Sequence, residues 1–167
     1  MALHALTNDR WGFASKCFVC EPTNLGGLQI PFFHDDERHV VVATFTLDET
    51  FSGAPTLVHG GVALAVLDEA MAWATIAIAE RFAVTRTTTT TFDRPVRVGR
   101  EHRVEASIVR RDGDDLHTLA VIVDAKGRVC ARATAEFHAL NFEQASTVAG
   151  ATLNADEARL TEPQSGS

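Results

Sequence analysis

Several signals are missing from this chain of 167 residues, and each absence excludes a class of protein. No G-x-S-x-G is present, which excludes the nucleophile elbow of an α/β-hydrolase. No G-x-G-x-x-G follows a strand pattern, so nothing indicates a dinucleotide site. Basic residues are outnumbered, with 15 Lys and Arg against 22 Asp and Glu, for a net charge of −7. This charge argues against nucleic acid as the main partner.

Cysteine is also scarce. The three cysteines, Cys17, Cys20 and Cys130, give an odd count, and the N-terminal residues show no signal-peptide pattern. We therefore expect reduced thiols in a cytoplasmic protein. The Cys17-x-x-Cys20 pair alone is a weak zinc signal, because tetrahedral zinc takes four ligands. Cys130 and His34 are candidates to complete such a site, but packing of the thiols as small hydrophobic groups is the favoured interpretation.

A long apolar segment, residues 57–79, is the most informative part of the chain. It is rich in alanine and leucine and contains no proline, so it predicts a helix that is apolar on nearly every side and buried. Asp68 and Glu69 interrupt it near the middle, which argues against a membrane span, since a central Asp costs about 2.5–3.5 kcal/mol on insertion. A buried carboxylate is costly unless it is paired or chemically needed, so the two acids mark a candidate site.

The segment opens on His59, Gly60 and Gly61. The glycines leave the first backbone N–H groups of the helix uncovered at the positive end of its dipole, where they can hold a developing oxyanion. Together with a sequestered carboxylate, they indicate acyl chemistry. His59 has two interpretations of equal weight: it hydrogen-bonds the substrate or a neighbouring backbone group, or it fixes the loop before the helix. Asp68 and Glu69 differ by about 100° around the helix, so only one of them faces a given site.

The spacing within the helix predicts a shared site. Gly60 and Asp68 are eight residues apart, which is about 12 Å along a helix. A single acyl carbonyl bound at the Gly60 amide cannot also reach Asp68 of the same helix. A second chain must supply one of the two groups, which predicts a homodimer with two equivalent sites.

The remaining sequence predicts strands. Residues 28–33 are a candidate edge strand, because Pro31 excludes a central one, and residues 40–47 are rich in β-branched residues. Four strands are predicted after the helix, at residues 85–92, 103–111, 116–124 and 128–140. This order predicts an α+β fold, an antiparallel sheet wrapped around one long central helix. Residues 1–143 are expected to form the domain, and residues 144–167, which are small and polar, a flexible tail.

The chain resembles the hotdog-fold thioesterases, most closely the PaaI-type acyl-CoA thioesterases. The family motif is His-Gly-Gly at the start of the central helix, with an acid nine residues after the His, here residues 59–61 and Asp68. The similarity extends upstream to CFVC at residues 17–20 and downstream to FDRPV at residues 92–96, and covers roughly residues 15–140. Two positions depart from the family pattern: Glu21 stands where Gly is usual, and Gly53 where some members carry a substrate-orienting Asn.

The resemblance implies the hotdog fold and hydrolysis of an acyl-CoA thioester by a homodimer or dimer of dimers, without metal or cofactor. It implies that the Gly60 N–H is the oxyanion donor. Asp68 is implied as either nucleophile or general base, and Thr85 as the residue that holds the water or orients Asp68. Three further residues are candidates for substrate binding: Gly61, Glu69 as the second choice of carboxylate, and Arg94. The apolar side of the pocket is expected from Trp73 or Met71.

A locally basic region would suit the phosphates of coenzyme A. Residues 81–132 carry eleven basic and seven acidic residues, whereas the remainder of the chain carries four basic and fifteen acidic residues. Two alternatives to a thioesterase stay open at this point. One is a non-catalytic hotdog protein that binds acyl-CoA, and the other is a hotdog hydratase or dehydratase.

Overall fold

A computed structural model describes residues 2–163 of the chain. Its main feature is an antiparallel sheet of seven strands that curves around helix α1. The elements in chain order are β1 Leu3–Leu6, β2 Phe32–Asp35, β3 Val40–Thr46, β4 Ser52–Ala54, β5 Leu57–Val58, α1 Gly60–Ala77, β6 Ala83–Phe92, β7 Glu101–Asp112, β8 Asp115–Asp124, β9 Val129–Ala139, α2 Phe142–Ala149 and α3 Ala155–Ala158. The strand order across the sheet is β1-β2-β3-β7-β8-β9-β6, and β4 and β5 pair separately. The predicted α+β architecture is confirmed.

Helix α1 fills the concave side of the sheet. Its residues Val66, Leu67, Ala70 and Met71 are fully buried in the core between α1 and the strands. Other apolar residues of α1 are only partly buried within one chain: Val62, Ala65, Ala72 and Ile76. The helix is also long and apolar enough to meet the minimum for a membrane span, a test that the core helix of a sheet-wrapped domain passes as well.

The four strands predicted after the helix are confirmed within two residues at every end. Strands β7, β8 and β9 form a meander, and β6 pairs with β9 at the edge of the sheet. Gly113 lies in the turn between β7 and β8 with a φ of 60°, a conformation that glycine adopts without strain. The threonines of β6 are mostly exposed, because in the described chain this strand has a neighbour on one side only.

The predicted edge strand at residues 28–33 is wrong in position. The strand begins at Phe32, and β1 pairs with it, so it is not the edge. The segment before Phe32 makes different hydrogen bonds: the N–H groups of Leu28 and Ile30 donate to the carbonyls of Phe18 and Val19, at 2.7 and 2.9 Å. Pro31 has no N–H to add to a ladder, so the strand starts after it. Strand β1 itself is exposed and carries no alternating pattern that predicts it.

Residues 144–163, which belong to the predicted flexible tail, form most of helix α2 and all of α3 and contribute buried side chains. Helix α2 begins with a capping box in which Asn141 and Gln144 satisfy each other's backbone N–H groups. Farther along, Leu153 is 4% exposed and Leu160 is 1% exposed. The segment is polar on average, but its few leucines reach the core and are sufficient to dock it. Residues 164–167 of the predicted tail lie outside the described residues.

A partly buried ion pair adds to this docking. Arg10 donates two hydrogen bonds to the carboxylate of Glu157, at 2.9 and 2.7 Å, and so joins the two ends of the described chain. Described residues beyond position 143 thus pack against the domain predicted over residues 1–143.

Candidate active site

The start of α1 is organised by His59. Its backbone precedes the helix as the N-cap, and its Nδ1 accepts a hydrogen bond from the Gly61 N–H at 2.9 Å. A Cβ on Gly61 would lie 3.1 Å from that Nδ1, so glycine at this position permits the cap. His59 thus hydrogen-bonds a neighbouring backbone group and holds the start of the helix, which fits either interpretation of its role. Because His59 takes the Gly61 N–H, Gly61 is not available as a donor to a substrate.

Gly60 differs from Gly61 in this respect. Its N–H makes no hydrogen bond within residues 2–163, and it stands at the first helical position, where the helix dipole is positive. A Cβ on Gly60 would lie 3.7 Å from Cζ of Phe92, an ordinary contact. The Gly60 N–H is therefore suited to hold an oxyanion, and the steric need for glycine here is weaker than at Gly61.

Asp68 lies in the middle of α1 and is held by Thr85. The Thr85 hydroxyl donates a hydrogen bond to Asp68 Oδ1 at 2.7 Å. Burial raises the pKa of Asp68 above its usual value, and the Thr85 hydrogen bond opposes this by lowering it. Thr85 sits at the start of β6 where the register with β9 shifts between Thr85 and Thr87, an irregularity of the kind that redirects side chains near functional sites. The structure thus brings Asp68 and Thr85 together, as the resemblance implies.

Glu69 faces a different neighbourhood. The Cys17 thiol lies 3.3 Å from Glu69 Oε1, so Glu69 meets the N-terminal segment while Asp68 meets β6. Burial raises the pKa of Glu69 to about 8, and Cys17 adds to the rise. Hydrogen bonding with Cys20 lowers the pKa of Cys17 to about 5. The two consecutive acids diverge, as their spacing around the helix predicts, and Glu69 is not placed with Asp68 and Thr85.

Cavities surround the start of α1. One of about 310 Å³ is bounded by Gly60, Ala63, Phe92 and Arg94, among other residues. Next to it lies a wider groove of about 760 Å³ whose basic residues are Arg94, Arg97, Arg100, Lys126 and Arg128. Arg94 borders both spaces, and its guanidinium donates to the Val129 carbonyl at 2.9 Å. The groove also contains Glu101 and Asp124, and Arg128 is paired with Asp124 at 2.7 Å, so the groove is basic on balance.

Neither Trp73 nor Met71 lines the cavity at Gly60, where the apolar side of the pocket was expected. Met71 is fully buried in the core. Trp73 lines a separate apolar cavity of about 200 Å³ together with Trp11, Ile76 and Phe82. The Trp73 Nε1–H has no hydrogen-bond partner within the described part of the chain. This cavity is on the side of α1 that carries Glu69.

Comparison with known proteins agrees with this geometry. The sequence model of the thioesterase superfamily matches residues 56–131, which include α1, β6, β7 and β8. No curated protein matches the chain. A crystal structure of a thioesterase superfamily protein superposes with a TM-score of 0.69 and 25% identity, over 73% of this chain but only 59% of the other, less than two thirds of its length. Escherichia coli PaaI, from the phenylacetic acid degradation operon, superposes with a TM-score of 0.55 and 22% identity, over 59% of this chain and 75% of PaaI.

A third neighbour, a protein of Streptococcus mutans, has a TM-score of 0.58 and 15% identity, over 60% of this chain and 81% of the other. The matched region contains the helix start and the acid of α1 described above. Residues 56–131 thus resemble the thioesterase superfamily in sequence, and the shared architecture shows that the chain has the hotdog fold.

Proposed function

We propose that the chain is a PaaI-type thioesterase that hydrolyses an acyl-CoA to the free acid and coenzyme A. The observation that carries the proposal is Asp68, a partly buried carboxylate on the helix that opens with His-Gly-Gly, held by Thr85 at 2.7 Å. Burial raises the pKa of Asp68, and a carboxylate with a purely structural role gains nothing from such a position. A base that must take a proton near neutral pH is favoured by such a rise.

The chemistry requires two groups on opposite sides of the thioester carbonyl. The Gly60 N–H donates to the carbonyl oxygen and stabilises the negative charge that develops on it. Asp68 either attacks the carbonyl carbon itself or removes a proton from an attacking water. In both routes the carbon–sulfur bond breaks and the thiolate of coenzyme A leaves. In the first route the acyl group remains on Asp68 as a mixed anhydride, which water then hydrolyses to release the free acid. The Thr85 hydroxyl engages Oδ1 of Asp68, which leaves Oδ2 to face the reacting group.

The two groups come from different subunits. Within one chain, Asp68 lies beside Thr85 at one end of β6, and Gly60 lies near Phe92 at the other end. Edge strand β6 is open on the side away from β9, and edges of this kind pair with another chain. Antiparallel pairing of β6 with its copy, centred between Thr85 and Phe92, brings each Asp68 towards the partner's Gly60.

Coenzyme A fits the basic groove that adjoins the Gly60 cavity. Arg94 connects the cavity to the groove, so an acyl group at Gly60 places the nucleotide end of the cofactor thioester among the arginines. Phosphates are recognised by such clusters of guanidinium groups. The Streptococcus mutans neighbour was solved with acetyl-CoA, and a Streptococcus pneumoniae thioesterase of 16% identity with coenzyme A. Those two likenesses concern the fold, and the arginines of this chain supply the reason to expect coenzyme A here.

The test is thiol release from a panel of acyl-CoAs of differing chain length and aromaticity. Asp68→Asn should keep the fold and lose about 10²–10⁴-fold in kcat, the usual loss for a positioned base. Glu69→Gln is the matched control, an equally small change at the adjacent acid. If Glu69→Gln is inactive and Asp68→Asn is not, the wrong carboxylate has been chosen. If the wild type binds acyl-CoA but releases no thiol from any member of the panel, the protein is a binding module.

A further inference from the structure

A cluster of two thiols and a carboxylate lies on the side of α1 away from Asp68. The Sγ atoms of Cys17 and Cys20 and a carboxylate oxygen of Glu69 all lie within 4.8 Å of one another. The Cys17 Sγ is 3.3 Å from Glu69 Oε1. In tetrahedral zinc sites the metal lies about 2.3 Å from sulfur and 2.0–2.2 Å from oxygen, so neighbouring ligand atoms are separated by roughly 3.5–3.8 Å. The Cys17–Glu69 separation is slightly shorter than this range and the other two are at most 4.8 Å, so the three atoms are close enough to share one cation.

The backbone around Cys17 favours the thiolate form, which is the form that binds metals. The chain turns at this point, and the Glu21 N–H donates to the Cys17 carbonyl at 3.3 Å. Two further N–H groups, those of Val19 and Cys20, point at the Cys17 sulfur at 3.4 and 3.5 Å. Successive backbone N–H groups that converge on one atom form a concavity for an anion.

The second thiol has an equally specific neighbour. The Asn8 side-chain amide donates from Nδ2 to the Cys20 Sγ at 3.2 Å. Its orientation is set by Trp11, whose Nε1–H donates to Asn8 Oδ1 at 3.2 Å, because only the oxygen of the amide can accept that bond. A fixed donor behind a ligand atom is the usual outer shell of a protein metal site.

Glu69 is what separates a cation site from two simpler interpretations. If the thiols packed only as small hydrophobic groups, a partly buried carboxylate beside them would be unfavourable. If they formed a redox pair, only the two sulfurs would be required. The charges that act most strongly on Glu69 are those of Cys17 and Asp68, both negative. Acidic groups brought together away from water are costly unless a proton or a cation joins them.

We propose that Cys17, Cys20 and Glu69 bind one thiophilic divalent cation of the zinc class, with water in the fourth position. This site is separate from the thioester chemistry of Asp68 and Gly60. The bound cation ties the turn at residues 17–20 to the middle of α1, across 52 positions of sequence. This ligand set differs from the one considered from the sequence. Cys130 lies on β9 and His34 on β2, and neither is part of the cluster.

The experiment uses the full chain, freed of metal with a chelator and kept reduced without a competing thiol. Titration with Co²⁺ should give one ion per chain and the charge-transfer absorption of thiolate ligands, and Zn²⁺ should displace it. Asn8→Ala should weaken Co²⁺ affinity by about 10- to 100-fold, the usual loss for an outer-shell group, and loss of a direct ligand in Glu69→Gln should weaken it at least as much. Cys17→Ser and Cys20→Ser should lose the charge-transfer band. Two matched controls should bind as the wild type does: Asp68→Asn and Cys130→Ser.

A second measurement on the wild type does not depend on whether the variants fold. Bound Zn²⁺ should protect Cys17 and Cys20 from alkylation and leave the reactivity of Cys130 unchanged, as read by mass spectrometry of the peptides. Binding with unchanged affinity in Glu69→Gln would overturn the three-ligand site. So would a reduced wild type that binds no Co²⁺ and shows no protection, including one that simply oxidises to a Cys17–Cys20 disulfide.

Discussion

The shared site is open to a test in which two inactive proteins restore activity to each other. One parent is Asp68→Asn, which lacks the base. The other is Gly60→Pro, which lacks the N–H that holds the oxyanion. Proline suits this position, because Gly60 is the first residue of α1 and the preceding His59 has φ −57° and ψ 134°, the extended region that a residue before proline prefers. Gly60→Ala is the matched control, since it keeps the N–H and its Cβ makes only an ordinary contact with Phe92.

The expected activities of the two parents and of their mixture can be stated in advance. Loss of one oxyanion donor typically lowers kcat by about 10²–10³, and loss of a positioned base by about 10²–10⁴, so each parent homodimer should be nearly inactive. Equal amounts refolded together give about half mixed dimers if assembly is random. In a mixed dimer one site carries both defects, and the other joins an intact Gly60 to an intact Asp68 from the other subunit. Activity should return to roughly a quarter of the wild-type level.

The assay is thiol release from the best acyl-CoA of the panel, before and after mixing, with heterodimer content measured by native mass spectrometry. Gly60→Ala should stay close to the wild-type rate, which would assign the loss in Gly60→Pro to the N–H. If both parents fold and a mixture rich in heterodimers stays inactive, then Gly60 and Asp68 of different subunits do not form one site. The separation of about 12 Å along α1 would then have to be bridged in another way.

Other predictions concern the support of Asp68 and the docked C-terminal segment. Thr85→Val should lower kcat/KM by about 10- to 100-fold, since a hydrogen bond to a charged group contributes about 1.5–3 kcal/mol. Burial raises the pKa of Asp68, so wild-type kcat/KM should rise with pH above the usual carboxyl range; Thr85 lowers that pKa, so the rise should move to higher pH in Thr85→Val. An unchanged pH profile would mean that Asp68 is not the titrating base. In urea unfolding, Leu160→Ala should cost about 2–5 kcal/mol, because Leu160 is 1% exposed. Val148→Ala, at a position 59% exposed, should change stability by no more than about 0.5 kcal/mol, and equal losses in the two variants would contradict the docking.

The parts of the fold that were predictable are those with a local signal. Residues 57–79 are mostly helix-forming apolar residues with no proline, and the observed helix is Gly60–Ala77. The turn at Gly113 between two alternating segments predicts the β7–β8 hairpin, which the structure confirms. The pairing of Asp68 with Thr85 spans 17 positions and was expected only through the resemblance to a family, because no local pattern encodes it.

The parts that escaped prediction depend on contacts between distant residues or on sparse apolar residues. Cys17 and Glu69 are 52 positions apart, and no local sequence pattern around either residue predicts their contact. The average polarity of the C-terminal segment predicts a flexible tail. Two buried leucines, Leu153 and Leu160, nevertheless pack it against the rest of the protein. One local signal was available there: Asn141 followed three residues later by Gln144 is a capping box, and it marks the start of α2.

The period of an α-helix explains why neighbouring residues of α1 face different parts of the protein. One side packs into the sheet through Val66, Leu67 and Met71, and needs only to be apolar. Asp68 follows Leu67 in the chain, and its side chain contacts Thr85 of β6. Strand β6 is the edge strand that is open to a second chain. Glu69, turned by a further 100° or so, meets the N-terminal thiols. Two adjacent acids thus serve different surroundings on one rigid element. The effects of Asp68→Asn on turnover and of Glu69→Gln on metal binding should therefore be separable in the same protein.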